Sequence, residues 1–138
     1  MILLLGLIWC LWREPARCLQ EDGGFTFSGD ILHITVATDD VYIATEEKLY
    51  QLSHDLVLTH SLTQRGMLED LNQNTKKFHR VSEKTRGNAI FRVNVFLPFT
   101  KNNSLISCGV IESTCGYCEI LDMKNISNLL HGENIQVG

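Results

Sequence analysis

Apolar and polar residues begin to alternate at residue 31. Within residues 31–37, Leu32, Ile34 and Val36 alternate with His33, Thr35 and Ala37, the period of a half-buried strand. Thr38-Asp39-Asp40 supplies a turn. Residues 41–45, Val-Tyr-Ile-Ala-Thr, are almost continuously apolar and predict a more deeply buried strand. Glu46-Glu47 turns the chain into a third strand over 48–53, and His54-Asp55 turns it into a fourth over 56–62. Four short strands joined by polar turns predict an antiparallel meander.

The pattern fades over residues 63–88, where Met67, Leu68, Leu71, Phe78 and Val81 are the few apolar anchors in a charged stretch. A long excursion, or in part a short helix, is expected there. Alternation returns over 90–99. Phe91, Val93, Val95 and Leu97 are expected on one face, with Arg92 and Asn94 on the other. Further strands are expected over 104–110 and 116–121, followed by a tail whose apolar pattern dwindles. The result is an all-β reading: one meander, a long connection, and a second meander that breaks off. A twisted sheet with apolar residues on both faces buries itself by stacking against neighbours, as propeller blades do.

The N-terminus changes the picture of compartment. Residues 2–12 are apolar apart from Gly6, too short for a bilayer span of about 20 residues but the length of a signal-peptide core. Pro15 breaks a helix, and Ala16 and Cys18 place small side chains before Leu19. Residues 1–18 are therefore expected to be a signal peptide and 19–138 the mature chain, with 19–30 an exposed lead-in. A buried element opening a cytosolic domain is the competing reading. No other segment approaches spanning length. The product is thus expected in the secretory pathway, extracellular or at the cell surface.

The 138 residues carry a formal net charge of −4, and no basic patch is dense enough for nucleic acid. Lys76, Lys77 and Arg80 read as a solvated loop face, with weak binding of a sulfated glycan as the sharper alternative. His33, His54, His60, His79 and His131 are dispersed. Asp39-Asp40 and Glu46-Glu47 read as turn residues rather than a calcium site. Nucleophile-elbow, P-loop and H-E-x-x-H motifs are missing. No catalytic residue, metal or cofactor is expected.

Candidate chemistry concentrates in Cys108, Cys115 and Cys118. Three readings are open: a Cys115–Cys118 redox pair without a thioredoxin-like surround, a zinc site lacking a clear fourth ligand beyond His131, or a disulfide with one cysteine left over. Asn102-Asn103-Ser104 and Asn125-Ile126-Ser127 are N-glycosylation acceptor sequences. Asn102 falls in an expected turn and Asn125 near a strand end.

Val41-Tyr42-Ile43-Ala44-Thr45, then Leu49-Tyr50-Gln51-Leu52-Ser53, then Cys108-Gly109, Gly116-Tyr117-Cys118 and the stretch from Leu121 to Ser127 resemble the start of a sema domain. The plexins, and C-type plexins most of all, are the nearest resemblance, and it covers about residues 29–130. The cysteine pair that the family carries before its second blade has no counterpart in residues 63–90. The resemblance implies the first one to two blades of a seven-bladed β-propeller, incomplete in this chain. It also implies an extracellular ligand-binding module of a cell-surface receptor for a semaphorin-type protein. Cys108 and Cys118 would form a disulfide and leave Cys115 over; Cys108–Cys115 is the competing pairing. A short secreted decoy, a form without function, and a small secreted redox protein using Cys115 and Cys118 are the alternatives.

Overall fold

The computed structural model describes residues 25–72, 75–82, 84–112 and 115–136. The signal-peptide expectation, residues 1–18, lies outside them. The described chain is all-β, with three antiparallel sheets and no α-helix among the described residues. Sheet 1 is a meander of β1 (Ile31–Val36), β2 (Asp40–Thr45), β3 (Lys48–Ser53) and β4 (Leu58–Thr63), in that order. An intervening three-stranded sheet has β5 (Arg65–Asn72) between β6 (Thr75–Arg80) and β7 (Ala89–Ile90). Sheet 2 is a second meander of β8 (Arg92–Phe99), β9 (Ser104–Glu112), β10 (Cys115–Asp122) and β11 (Asn125–Gln136). All three sheets are open.

The two meanders stack in matching order, β1 beside β8 and β4 beside β11. Their facing sides enclose the main core, which joins Tyr42, Ala44 and Leu49 of sheet 1 to Val93, Leu105, Tyr117 and Leu121 of sheet 2. The unbroken apolar run of β2 follows from this position. Tyr42 and Ala44 face sheet 2, while Ile43 points to the opposite side and packs with Tyr50 and Leu52. Phe25 and Phe27 cover that outer cluster, each with its ring edge-on to Tyr50 at centroid distances of 5.3 and 5.1 Å. Within the described part of the lead-in, Phe25 and Phe27 therefore form a strap, while Thr26 and residues 28–30 stay exposed as expected. Thr45 fastens the strap, since its hydroxyl donates to the Ser28 carbonyl at 2.6 Å while accepting from the Glu47 and Lys48 amides.

Two strand faces differ from expectation for the same reason, a bulge. In β1 the register shifts between Ile31 and His33. His33 then meets sheet 2, its Nε2 lying 3.1 Å from the Val93 carbonyl oxygen, and Ile34 and Val36 face outward and exposed. In β8 the register shifts between Val93 and Val95. Phe91 and Val93 are buried as expected, but Phe96 takes the next inward position and Val95 and Leu97 turn to solvent. A period-two pattern carries no mark of an inserted residue, and one insertion exchanges the faces.

The polar stretch expected as an excursion, or in part a short helix, is instead the β5–β6–β7 sheet. Phe78 anchors it, with its ring 5.0 Å from Tyr117 and 6.0 Å from Phe91. The expected tail supplies a further strand, β11, through Gln136, and the second meander has four strands.

Candidate functional site

Cys108 and Cys118 face each other across β9 and β10 in direct register. They form a disulfide with Cα atoms 4.1 Å apart. It lies on the outer face of sheet 2, in line with Val95 on β8. Cys115 is free and buried, and its sulfur lies 3.9 Å from the Lys76 carbonyl of β6. Residues three apart on a strand point to opposite faces. Cys118 is already committed to Cys108, so a Cys115–Cys118 dithiol is not present. Among the described residues, no three His, Cys, Asp or Glu side chains are grouped to hold a metal ion.

Asn102 is the last residue of a short 3-10 turn, Thr100–Asn102, and is exposed. Asn103 follows in the left-handed conformation, φ 51°, which asparagine tolerates better than most residues. Asn125 opens β11 and is half-buried, and its Oδ1 accepts from the Ser127 amide at 2.9 Å. The two acceptor asparagines thus sit on turns flanking sheet 2.

A polar cleft of about 260 Å³ lies where the turns of both meanders meet, lined among others by Asp39, Asp40, Tyr42, Asn103 and Lys124. Its floor is tightly bonded. Tyr42 donates its hydroxyl proton to the Met123 carbonyl at 2.6 Å. The Gln51 amide donates to Asp40 at 2.7 Å and to the Met123 carbonyl at 2.9 Å, and its oxygen accepts from Ile126 N–H. Burial, then the charges of Asp40, Asp122 and Asp39, push the Tyr42 phenol up to about 12. The turn between β10 and β11 is thereby pinned to sheet 1. The acidic pair of the first turn serves this structural network through Asp40.

The basic cluster read from the sequence separates in space. Lys76 and Lys77 are exposed on β6, opposite Asp70 and Glu69 of β5, so their charges are locally compensated. Arg80 instead points inward. Its Nε donates to both Glu119 oxygens, at 2.7 and 2.6 Å, and its Nη2 to Glu119 and to Gln64 Oε1. Nη1 donates to the Thr63 carbonyl, and the guanidinium carbon sits 5.4 Å from the Phe91 ring centre. The solvated loop face expected of Lys76, Lys77 and Arg80 therefore holds for the two lysines and fails for Arg80, which is buried against Glu119. The one available signal is that Glu119 alternates in phase with Tyr117 and Leu121 on the inward side of β10.

The remaining surface feature is apolar. Large aliphatic side chains are exposed on β1, β8 and β11 and over residues 56–58. Among the described residues no helix is long and apolar enough to cross a membrane. No protein-family model matches the chain, and no curated protein matches it.

Proposed function

We propose that this chain is an extracellular protein-binding module: the N-terminal part of a plexin-like sema domain, contributing the first two blades of an incomplete β-propeller. The observation that carries the reading is the stacking of two four-stranded meanders in the same strand order, each with apolar residues on both faces. Sheets of this kind are wedges that need further neighbours. The cross-strand disulfide supports an oxidising compartment, and the apolar N-terminal run supports entry to the secretory pathway. Recognition in such a module is by rigid surface rather than by chemistry. Its partner is a semaphorin-type protein bound by the complete receptor, and Asn102 and Asn125 carry glycans.

Expression of the whole chain in secreting cells tests this. The expected product appears in the medium, shifts in mobility on enzymatic deglycosylation, loses both shifts in Asn102→Gln/Asn125→Gln, and carries one free thiol after leader removal. A chain that stays in the cytosol with all its thiols reduced would overturn the reading.

A further inference from the structure

The two glycan-acceptor sequences are held by the fold in different ways. In Asn125-Ile126-Ser127 the middle residue is sealed in. Ile126 is 0% exposed and belongs to the core shared by the two meanders, and its amide donates to Gln51 Oε1 at 3.1 Å. Asn125 pairs with Asp122 across the β10–β11 turn, and its Oδ1 accepts from the Ser127 amide. The Ser127 hydroxyl donates to the Ser61 carbonyl of β4 at 3.3 Å. All three residues are therefore anchored, two of them to sheet 1. In Asn102-Asn103-Ser104 no residue is buried: Asn102 and Asn103 are exposed and Ser104 is half-buried. The Ser104 hydroxyl bonds within the sequence itself, to the Asn102 carbonyl at 3.3 Å. One backbone bond, from the Met123 amide to the Asn103 carbonyl, ties this turn to its neighbour.

Glycan transfer needs both ends of an acceptor sequence. The asparagine Nδ2 forms a bond to the sugar C1, the C1–O bond to a lipid diphosphate breaks with its electron pair leaving on the diphosphate, and a proton on Nδ2 passes to a base of the transferring enzyme. The hydroxyl two residues on is the feature that defines the acceptor, so the enzyme must grip asparagine and hydroxyl together. At Asn102 this asks for the opening of one exposed turn. At Asn125 it asks for Ile126 to leave the core, for its bond to Gln51 to break, and for the Ser127 hydroxyl to leave Ser61. From this we propose that Asn125 is a folding-gated acceptor: it takes its glycan before β11 docks on sheet 1 and is closed afterwards, whereas Asn102 stays open to transfer in the finished fold. The proposal deepens the secretory reading above and rests on it for the enzyme that the chain meets in the cell. A sugar attached early is compatible with the fold, because the bond from Ser127 engages Oδ1 of Asn125 and leaves Nδ2 out. A glycan at Asn125 thus records attachment before folding.

Transfer to the full-length chain, made without glycans, tests this. The chain is offered to purified oligosaccharyltransferase with a lipid-linked oligosaccharide, either native or after reduction and alkylation in urea, and occupancy at each site is followed by peptide mass spectrometry. In the native protein Asn125 is expected to be modified more slowly than Asn102 by about tenfold or more, the factor that keeping one Ile side chain out of water supplies. In the unfolded chain the two rates are expected to be comparable. Three results overturn the proposal: Asn125 keeping pace with Asn102 in the native protein, Asn102 as closed there as Asn125, or Asn125 equally slow after unfolding. Transfer in a purified system does not depend on where the cell sends the chain. The secretory reading, judged by appearance in the medium and by thiol state, therefore fails or stands separately.

Discussion

Arg80 on β6 meets Glu119 on β10 in a two-pronged ion pair whose side chains are 6% and 0% exposed. The pair bolts the intervening hairpin into the seam between the meanders, because Arg80 also bonds Thr63 and Gln64 at the end of sheet 1. Removing one partner strands the other charge in a dry site, which costs about 3–5 kcal/mol, whereas replacing both with apolar residues costs far less. Urea unfolding should therefore show Arg80→Met and Glu119→Leu each strongly destabilising and the double variant losing less than the two singles together, still short of wild type because the buried Thr63 carbonyl and Gln64 Oε1 lose their donor. Additive losses would contradict this account.

Alkaline pH should loosen the same core. Burial first, then the neighbouring carboxylates Asp40, Asp122 and Asp39, raise Tyr42 to about 12. Burial and then Glu119 raise Tyr117 to about 12, with Arg80 opposing. A phenol with a folded pKa above its unfolded value of about 10 stabilises the fold fully below that value. The contribution is lost as pH climbs from about 10 through about 12. Stability measured across this range should fall, and Tyr42→Phe should reduce the slope by one proton's share. That variant should cost about 1 kcal/mol at neutral pH, since the Met123 carbonyl keeps its bond from Gln51. An unchanged slope in Tyr42→Phe would count against the assignment.

The all-β class and the first meander were legible because polar turns and period-two alternation repeat clearly between residues 31 and 62. Which face of a strand meets the core was not legible. In β1 and β8 single bulges reverse the faces, and Ile34 and Leu97 look the same to the sequence whether buried or bare. The β5–β6–β7 sheet was missed because its burial rests on a few large groups, Phe78 and the stem of Arg80, rather than on a stripe. β11 was missed because its outward face is polar at Glu133 and His131 and exposed. Of the site residues, the cysteines were visible as a cluster, while Arg80 reads like its solvated neighbours Lys76 and Lys77 and nothing local pairs it with Glu119, 39 positions away.

The disulfide and the free thiol should behave oppositely. Cys108 and Cys118 are ten residues apart in sequence, so closing that loop stabilises the fold by roughly 2–3 kcal/mol in the chain-entropy view. Cys108→Ala/Cys118→Ala should lower the urea midpoint accordingly and keep the β-rich circular dichroism. Cys115 is buried, so a thiol reagent should label it slowly in the native protein and at once in denaturant. Rapid native labelling would mean that the β6–β10 contact opens freely.

Gly109 and Gly132 clear space for different kinds of neighbour, and their alanine variants should be separable. A Cβ at Gly109 would run into the Arg92 carbonyl and the Val93 backbone of β8, and one at Gly132 into the Tyr117 hydroxyl. Overpacking of this kind costs about 1–3 kcal/mol. Backbone in the adjacent strand has no rotamer to escape into, so Gly109→Ala should push β8 away and speed amide exchange over residues 92–96. The severe clash at Gly132 is with one oxygen atom, and the Tyr117 ring carbon bearing it stands at a tight 3.2 Å. Tyr117→Phe removes that oxygen while keeping the ring packed on Phe78 and Phe91. Tyr117→Phe should therefore restore much of the melting temperature lost by Gly132→Ala and none of that lost by Gly109→Ala. Equal rescue of both, or of neither, would show that the two glycines do not serve these distinct contacts.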